Sequence, residues 1–422
     1  MILSVFRSNP RGWLIVAVIF FTVSFSFAAR MSLPVLIPVW EKEFEWTRTF
    51  LTSGAALIMI VMGGVAPYAG HLLDKFGPRY LVSGGTILSG FCVIMAAFMD
   101  TSALWYSPAW VFIGIYCILS AIGYGMVSLP VATATITREF VENRGLATSI
   151  GTSGVGGGQL LFIPLIAWVI TLVGWRPTLT LFGLLIVGMG MLAFLLLPGE
   201  RKRGEEKRNI SNGSKSFLEK FNVLVRHPVF WLLGGAYFIC GFTTAGVVKV
   251  HLIPYAASCG FSITTGAAAT GILAGFDMFG MVLSGYLTDR MNRPGLLGTV
   301  YFLRALSFVM LFFITDNFAI LFLFAIIFGT LDFATVPPTA GLVASHLGVS
   351  TMGFNMGILF LGHSLGGALG AVAGGTMFDL FQTYDWTWVM ALTLALVAAV
   401  LAWSVPEKRD TQPRTVKLEV AQ

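Results

Sequence analysis

The feature that most constrains this chain is a series of long apolar runs separated by short polar stretches. An α-helix rises about 1.5 Å per residue, so a run of roughly 20 apolar residues crosses the hydrocarbon of a bilayer. Helices are favoured because each one satisfies its own backbone hydrogen bonds within lipid. The sequence contains twelve such runs, near 13–39, 51–69, 80–99, 109–134, 145–172, 177–197, 229–256, 265–287, 296–315, 318–344, 352–377 and 387–405.

The composition excludes an ordinary soluble enzyme. Of the 422 residues, 56% are hydrophobic and 11% are charged, whereas a soluble domain usually has about 25% charged residues. The bases lie between the apolar runs rather than in one patch, which argues against a nucleic-acid partner. The cysteines form no CxxC pair, so we expect no disulfide framework, metal site or cofactor; they are Cys92, Cys117, Cys240 and Cys259. We predict an all-α polytopic membrane protein, with the lipid bilayer as its surroundings.

One polar, charged stretch divides the apolar runs into two sets of six. It reads "GERKRGEEKRNISNGSKSFLEKFNVLVRHP" and covers 199–228. We therefore predict an N-terminal six-helix half over 1–198, a cytoplasmic linker over 199–228, a C-terminal six-helix half over 229–405 and a cytoplasmic tail over 406–422.

The distribution of bases predicts the orientation. With both termini on the inner side, the inner segments hold 20 of the 26 Lys and Arg residues. The outer loops hold three, which are Lys42, Arg48 and Arg176. Cytoplasmic loops are enriched in Lys and Arg, so both termini are predicted to be cytoplasmic. The short loops favour a bacterial inner (plasma) membrane.

A charged motif recurs in both halves. "GHLLDKFGPR" from Gly70 returns as "GYLTDRMNRP" from Gly285, each time after the second apolar run of its half. A simple topology anchor would explain the bases, but the recurrence of Gly, Asp and base at one spacing favours a gating motif. Related halves around a central pathway are a plan of secondary transporters. The motif residues are Gly70, Asp74, Lys75, Gly77, Arg79, Gly285, Asp289 and Arg290.

The motif resembles the signature of the major facilitator superfamily, G-x-x-x-D-[RK]-x-G-x-[RK], and the resemblance extends over the whole chain. Within that superfamily the sequence is most similar to the monocarboxylate porters and the oxalate/formate antiporters. The stretches that carry this similarity are "RGW", "EWTRT", "DKFGPR", "RGLATSIGTSGVGGG" and "NMGILFLGHSLGGALG". The resemblance implies two pseudo-symmetric six-helix halves and transport of a small organic anion.

The chain departs from these families where they bind the anion. In the eighth span they carry an acid or Asn followed four residues later by Arg; here Asp277 is followed by Met281. Oxalate-type proteins carry a Lys in the eleventh span, where this chain has His363. Monocarboxylate porters carry a Lys near the outer part of the first span, and Arg30 lies at or beside that position. The resemblance thus implies an anion-binding set in altered form.

Seven ionisable residues fall within the predicted spans, and each is a candidate site residue because a charge at that depth is costly. Counting along the helices places Asp277, Asp332 and His363 near the membrane midplane. Arg304 lies closer to the cytoplasm. The other three, Arg30, Lys249 and His251, fall near the outer ends.

These depths suggest roles. We predict that Arg304 and Asp332, on adjacent spans, form a structural ion pair. Asp277 and His363 are the candidates for proton coupling, although Asp277 could also only balance a base, and His363 could be a neutral hydrogen-bonding residue. Lys249 could bind substrate at an outer entrance or extend to the outer headgroups. The candidates for substrate binding are Arg30, His363, Met281, Lys249 and His251.

The sequence therefore predicts a secondary active transporter of a small organic anion, most consistent with proton-coupled monocarboxylate transport by alternating access. "GVGGGQ" lacks the Gly-Lys-Ser/Thr ending of a phosphate-binding loop, so no nucleotide drives the cycle. We expect no enzymatic activity. Two alternatives stay open: an anion exchanger without net proton flow, and a membrane sensor that does not transport.

Overall fold

The computed structural model describes residues 9–100, 107–137, 139–140, 147, 150–199, 217–288, 290–314, 317–348 and 352–407. Every regular element in these ranges is a helix. Twelve helices are long and apolar enough to cross a membrane, which confirms the predicted number. The first six are α1 (Pro10–Phe44), α2 (Arg48–Val65), α3 (Phe76–Ala96), α4 (Pro108–Ile136), α5 (Ile150–Val173) and α6 (Trp175–Leu196).

The second half of the bundle repeats this arrangement. Its helices are α7 (Pro228–Ser258), α8 (Ile263–Thr288), α9 (Arg293–Phe313), α10 (Phe318–Leu347), α11 (Phe354–Phe381) and α12 (Asp385–Trp403). One further short helix, Phe217–Val225, lies within the segment between the halves. Because an even number of helices crosses the bundle, the start of α1 and the end of α12 lie at one face. We name it the terminal face, and the opposite one the distal face.

Helix starts follow local capping chemistry. The Asn9 side chain accepts a hydrogen bond from the Gly12 N–H, and Pro10 occupies the first helical position, where its missing N–H costs nothing. Asn292 accepts from the Gly295 N–H at the start of α9 in the same way. These caps satisfy backbone donors that would otherwise lack partners at a helix end.

The loop between α2 and α3 is nearly continuous helix, interrupted at Gly77. This residue has φ 77° and ψ 169°, a conformation that residues with a Cβ rarely adopt. After the break, the Arg79 Nε donates to the Leu197 carbonyl oxygen at the end of α6, over 2.8 Å. The surroundings of Gly70, the side chains of Asp74 and Lys75, and all of Asp289 lie outside what the structure describes, so the predicted gating role of the motif stays a prediction.

Glycines bring helix backbones together within the second half. A Cβ added at Gly241 of α7 would lie 1.9 Å from the His363 carbonyl oxygen of α11, and one at Gly366 would lie 2.1 Å from the Phe238 carbonyl oxygen. Neither position has space for a larger residue. The two helices therefore pack backbone against backbone, as small residues permit inside membranes.

Two of the helix pairs along which the halves meet are packed through glycines. Between α2 and α11, a Cβ at Gly375 would lie 2.2 Å from the Thr52 hydroxyl. Between α5 and α8, a Cβ at Gly156 would lie 2.9 Å from the Met278 side chain. These contacts border the centre of the bundle, where the candidate site lies.

Candidate functional site

A lysine between two aspartates forms the centre of the second half. The Lys249 Nζ lies 2.7 Å from Asp332 Oδ2 and 3.3 Å from Asp277 Oδ2. All three side chains are at most 9% exposed. The ammonium also lies 4.5 Å from the centre of the Phe333 ring. Both acids stand near the middle of their helices, α8 and α10. We name Lys249, Asp277 and Asp332 the central triad.

A wide turn in α7 leads into this triad. Residues Phe242–Val248 form a π-helical segment that ends directly before Lys249. π-Turns inside α-helices are frequent at functional sites, where the additional residue turns the following side chains to new directions. The sequence placed Lys249 near the outer end of its span, and the structure corrects this. Its long side chain reaches the two acids at mid-helix instead of lining an outer entrance.

Arg304 does not form the predicted ion pair with Asp332. Its Nη2 donates to the backbone carbonyl oxygens of Leu331 and Asp332, each over 2.7 Å, and its Nη1 lies 3.1 Å from the Cys240 Sγ. The guanidinium is fully buried. Among the described residues, the base paired with the Asp332 carboxylate is Lys249.

The helix break in α10 explains this correction. The helix narrows to a 3-10 segment over Phe333–Thr335, directly before Pro337 and Pro338. A proline has no N–H, so these two leave the carbonyls four residues earlier without their usual donors. The Ser284 hydroxyl of α8 donates to one of them, the Ala334 oxygen. Arg304 binds the carbonyls at the start of the break, which fixes the backbone that carries Asp332.

Arg30 is the isolated cation of the first half. Its Nε is buried without a hydrogen-bond partner, its Nη1 lies 3.6 Å from the Met62 sulfur, and its guanidinium lies 4.9 Å from the Phe27 ring centre. None of the ion pairs among the described residues includes it. Its side chain is partly accessible, because it lines a small cavity. α1 extends to Phe44, so Arg30 lies closer to mid-helix than the sequence suggested.

Side chains from both halves line this cavity. The helices α1 and α2 supply most of the wall, and α7 of the other half supplies Val250, the residue after Lys249. Apart from the guanidinium the lining is apolar; its members are Arg30, Met31, Leu33, Pro34, Ala55, Ile58, Met59 and Val250. Pro34 also leaves the Arg30 carbonyl without its helical donor. The cavity thus combines one cation with apolar walls.

His251 lies in a hydrogen-bond chain near the distal face. Its Nδ1 lies 3.1 Å from the Tyr384 hydroxyl and its Nε2 2.9 Å from the Ala371 carbonyl oxygen. A carbonyl only accepts, so Nε2–H donates there and Nδ1 accepts from Tyr384. Tyr384 in turn accepts from Arg48 Nη1 over 3.2 Å. Both ring nitrogens have hydrogen-bond partners in this arrangement, and the role of His251 in substrate binding stays a prediction.

The same region joins the two halves through Asp379 of α11. Its carboxylate accepts hydrogen bonds from the backbone N–H groups of Arg48, over 3.1 Å, and Thr49, over 2.7 Å. These are the first residues of α2, so an acid of one half caps a helix of the other. The Arg48 guanidinium lies 3.6 Å from the Phe378 ring centre and pairs with Glu41. We name Arg48, Thr49, Asp379, Tyr384 and His251 the distal contact.

The remaining two predicted site residues lie apart from Arg30. The His363 ring packs 4.9 Å from the Tyr237 ring centre and stacks on Phe360 at 5.8 Å. Met281 is 40% exposed on α8. Neither lines the cavity at Arg30. On the terminal face, Arg290 is exposed and lies 3.6 Å from the Tyr286 ring centre, near Gly285.

Sequence reasoning missed the distal contact. Asp379 and Tyr384 fall at the end of an apolar run, where a polar residue indicates no particular function. Arg48 counted only as one of three outer bases. The signal that the sequence offered is topological. The start of α2 and the end of α11 lie on the same face of the bundle, where the structure joins them.

Comparison with known proteins decides the family. The sequence profile of the Major Facilitator Superfamily matches residues 18–359 and, in a second match, 252–421. The chain belongs to this superfamily. An uncharacterized transporter of the superfamily from Bacillus subtilis, YcxA, is 28% identical over 93% of this chain and 94% of its own.

Two further relatives and one solved structure extend this comparison. Monocarboxylate transporter 13 of Rattus norvegicus is 25% identical over 94% of this chain and 89% of its own. The oxalate:formate antiporter of Oxalobacter formigenes is 26% identical over 86% and 84%. The crystal structure of a D-xylose-proton symporter superposes with a TM-score of 0.73 at 17% identity, over 94% of this chain and 97% of that one. This member of the superfamily is therefore a membrane transporter.

Proposed function

We propose that this transporter carries a small organic anion with a single carboxylate, together with a proton, by alternating access. The observation that supports it most is Arg30, a cation without a carboxylate partner at a cavity between the halves. Burying an uncompensated charge is costly, so such a residue is retained where a ligand supplies the opposite charge. A substrate carboxylate accepting two guanidinium hydrogen bonds meets this need.

The rest of the cavity favours a monocarboxylate. It contributes one cation, and its other lining side chains are aliphatic or thioether groups. A second carboxylate of a dicarboxylate would meet no base there. Two of the relatives are a monocarboxylate transporter and an oxalate:formate antiporter, and both names describe transport of carboxylates, which supports the proposed substrate class.

In this proposal the transported proton binds at a separate site, the central triad. Two buried carboxylates share one ammonium, so a proton on one of them removes a buried negative charge that the lysine cannot fully balance. Val250 links this group to the cavity, because it adjoins Lys249 and lines the Arg30 site. A movement of α7 would therefore displace residues of both the central triad and the cavity.

Uptake into proteoliposomes tests the proposal. Purified protein is reconstituted, and the uptake of radiolabelled acetate, isobutyrate, benzoate and oxalate is measured with and without a pH gradient that is acidic outside. We expect accumulation of at least one monocarboxylate that follows the gradient and is lost in Arg30→Gln. Arg30→Lys should keep part of the activity, and Arg176→Gln, a substitution at an exposed pair, should keep all of it.

The two alternatives give different results in the same assay. An exchanger would accumulate label only against internal anion and would ignore the pH gradient. A sensor would take up none of the four anions above the level of empty liposomes. Gradient-driven oxalate uptake that equals monocarboxylate uptake would contradict the single-carboxylate site.

Orientation and gating are part of the proposal. We place both termini in the cytoplasm of a bacterial cell, which would put the terminal face inside; cysteine labelling of the tail in intact and permeabilised cells tests this. The loop after α2 would then act as the inner gate. Asp74→Asn should reach the membrane in normal amount and transport slowly, whereas Arg290→Gln should be milder because its side chain is exposed. Normal transport by Asp74→Asn would refute the gating role.

A further inference from the structure

We propose that His251 makes the distal contact a pH-sensitive lock: its neutral ring holds the two halves together at the distal face, and a proton on that ring releases them. The observation that carries this inference is a hydrogen-bond chain whose direction fits only a neutral imidazole. The inference goes beyond the proposed function, because it concerns the opening of the distal face and requires neither the anion nor the transported proton.

The hydrogen-bond chain runs in one direction. The His251 Nε2–H donates to the Ala371 carbonyl oxygen over 2.9 Å, so Nδ1 is the acceptor and receives the Tyr384 O–H over 3.1 Å. The same hydroxyl oxygen accepts from Arg48 Nη1 over 3.2 Å. Ala371 and Tyr384 belong to the second half and Arg48 belongs to the first. The last hydrogen bond of the chain therefore crosses between the halves.

The His251 ring has no room to turn in this arrangement. Its side chain is fully buried. A Cβ added at Gly374 of α11 would lie 2.5 Å from Nε2, so the ring packs directly on the backbone of that helix. On its other side the Tyr384 ring centre lies 5.5 Å away. A second N–H on the ring could reach a new acceptor only if the surrounding helices moved apart.

A proton on Nδ1 would reverse what His251 requires of Tyr384. Both nitrogens of an imidazolium are donors, so Nδ1–H would face an oxygen to which Arg48 already donates. The tyrosine hydrogen would lose its acceptor, and two positive charges would stand on either side of one oxygen atom. Because like charges repel, the hydrogen bond that crosses between the halves would weaken.

The neighbouring charged groups act in the same direction. α11 contributes Asp379, which accepts the first N–H groups of α2, and a new positive charge on His251 would compete for this carboxylate. α1 contributes Glu41, which pairs with Arg48 and keeps that guanidinium with the first half. A charged His251 would thus repel the first half and attract the carboxylate that caps it.

The remaining ionisable groups near this part of α7 have other contacts. On α7 itself, Lys249 pairs with the acids of the central triad, and the Tyr255 hydroxyl donates to the Leu311 carbonyl oxygen. α8 carries no ionisable side chain in its distal half, and α12 begins at Asp385, which is exposed. The charges that act on the ring are therefore those of the distal contact and its partner on α1.

This geometry also determines the sign of the pH dependence. A histidine in water titrates near pH 6.5. Opening the distal face would hydrate the ring and let it bind the proton for which the closed contact offers no acceptor. Acid therefore favours the open face. Below about pH 6.5 the ratio of open to closed protein should rise by up to about tenfold for each pH unit.

A distance measurement between two spin labels tests the lock in purified protein without any substrate. The labels are attached at Lys42→Cys, near the end of α1, and at Ser258→Cys, at the end of α7; both residues are exposed on the distal face, in opposite halves. Cys259 is replaced by Ser, because the other three natural cysteines are buried. Pulsed electron paramagnetic resonance then gives the fractions of shorter and longer distances between about pH 8 and about pH 5, a range that brackets histidine titration.

We expect the parent to show the shorter distance at the alkaline end and a growing fraction of the longer one in acid. His251→Gln should keep the shorter distance throughout, because an amide offers a donor and an acceptor but takes up no proton. His346→Gln, at the terminal end of α10, is the matched control and should respond as the parent does. Tyr384→Phe removes the hydroxyl that joins His251 to Arg48, so the longer distance should already be populated at the alkaline end.

Two results would overturn the lock: parent distances that do not change with pH, and a His251→Gln variant that keeps the parent's response. If His251→Gln does not fold, Tyr384→Phe decides the matter, and distances equal to the parent's at every pH would then refute the inference. The uptake assay is independent of this readout. Acid-induced opening without anion uptake would contradict the proposed transport alone, and gradient-driven uptake without acid-induced opening would contradict the lock alone.

Discussion

The two halves of the bundle differ in whether their buried charged side chains have charged or polar partners. The first half holds one cation in its middle, Arg30, and the described residues around it supply no carboxylate. The second half holds Lys249, Arg304, Asp277 and Asp332, each in contact with a charged or polar partner. In the function proposed above, the first half would offer its cation to a ligand, and the second half would hold the proton among its paired charges.

Arg304 and Arg30 make the comparison sharpest, because they share one side chain and differ in surroundings. Arg304 has three acceptors and is fully buried. Arg30 has one weak sulfur contact and an aromatic ring. Replacing Arg304 should lower the stability of the fold, and replacing Arg30 should raise it.

The largest effect is expected for Arg304→Ala. The substitution removes the guanidinium that donates to the Leu331 and Asp332 carbonyls at the helix break, and it opens a cavity. We expect a loss of about 3–5 kcal/mol, the range for breaking a buried charged contact. Thermal unfolding in detergent and the amount of protein in the membrane measure it. Stability equal to that of the parent would mean that the helix break in α10 is stable without Arg304.

The next effect has the opposite sign. Arg30→Met removes a buried donor that lacks a partner, and such a donor costs about 1–3 kcal/mol. The variant should therefore melt at a higher temperature than the parent, while anion uptake is lost. A lower melting temperature would show that Arg30 holds the fold, and the contrast between the halves would fail.

A smaller effect is expected across the boundary between the halves. Asp379→Asn removes the negative charge that accepts the first two N–H groups of α2, an interaction of the helix-capping kind. We expect a loss of about 1 kcal/mol in the contact. A cysteine placed at Thr52, which faces Gly375 of α11, should then react faster with a water-soluble maleimide. Unchanged labelling in Asp379→Asn relative to the Thr52→Cys parent would contradict a role in closing this face.

The smallest effect is predicted for Arg176→Ala. This arginine pairs with Glu43 over 2.6 Å, but the two side chains are 42% and 33% exposed. Solvent-exposed pairs contribute about 0–1 kcal/mol. The melting temperature should stay within about 2 °C of the parent's, as expected for so small a change in a large chain. A larger drop would show that the loop contacts of Arg176 matter more than its charge pair.

Much of the fold was predictable from the sequence. Long apolar runs predicted twelve helices because lipid leaves a chain few other ways to satisfy its backbone. The repeated loop motif, together with the resemblance, predicted two related halves, and the superfamily match confirms that assignment.

The pairing of charges was not predictable to the same degree. Depth along a straight helix placed Arg304 beside Asp332 but ignored the Leu331 and Asp332 carbonyls at the start of the helix break, which accept from the guanidinium instead. It placed Lys249 too far out, because a π-turn and a flexible four-carbon stem are invisible to residue counting. It listed Arg30 among the site residues but could not show that this one lacks an acid.

The cap that Asp379 places on α2 also bears on how the distal face opens. Opening the distal face exposes two backbone N–H groups and one carboxylate at once, and all three must find water before the helices can part. Closing restores both hydrogen bonds in one motion. The cap therefore stabilises the contact between the start of α2 and the end of α11, and any movement that separates these helices has to break both hydrogen bonds.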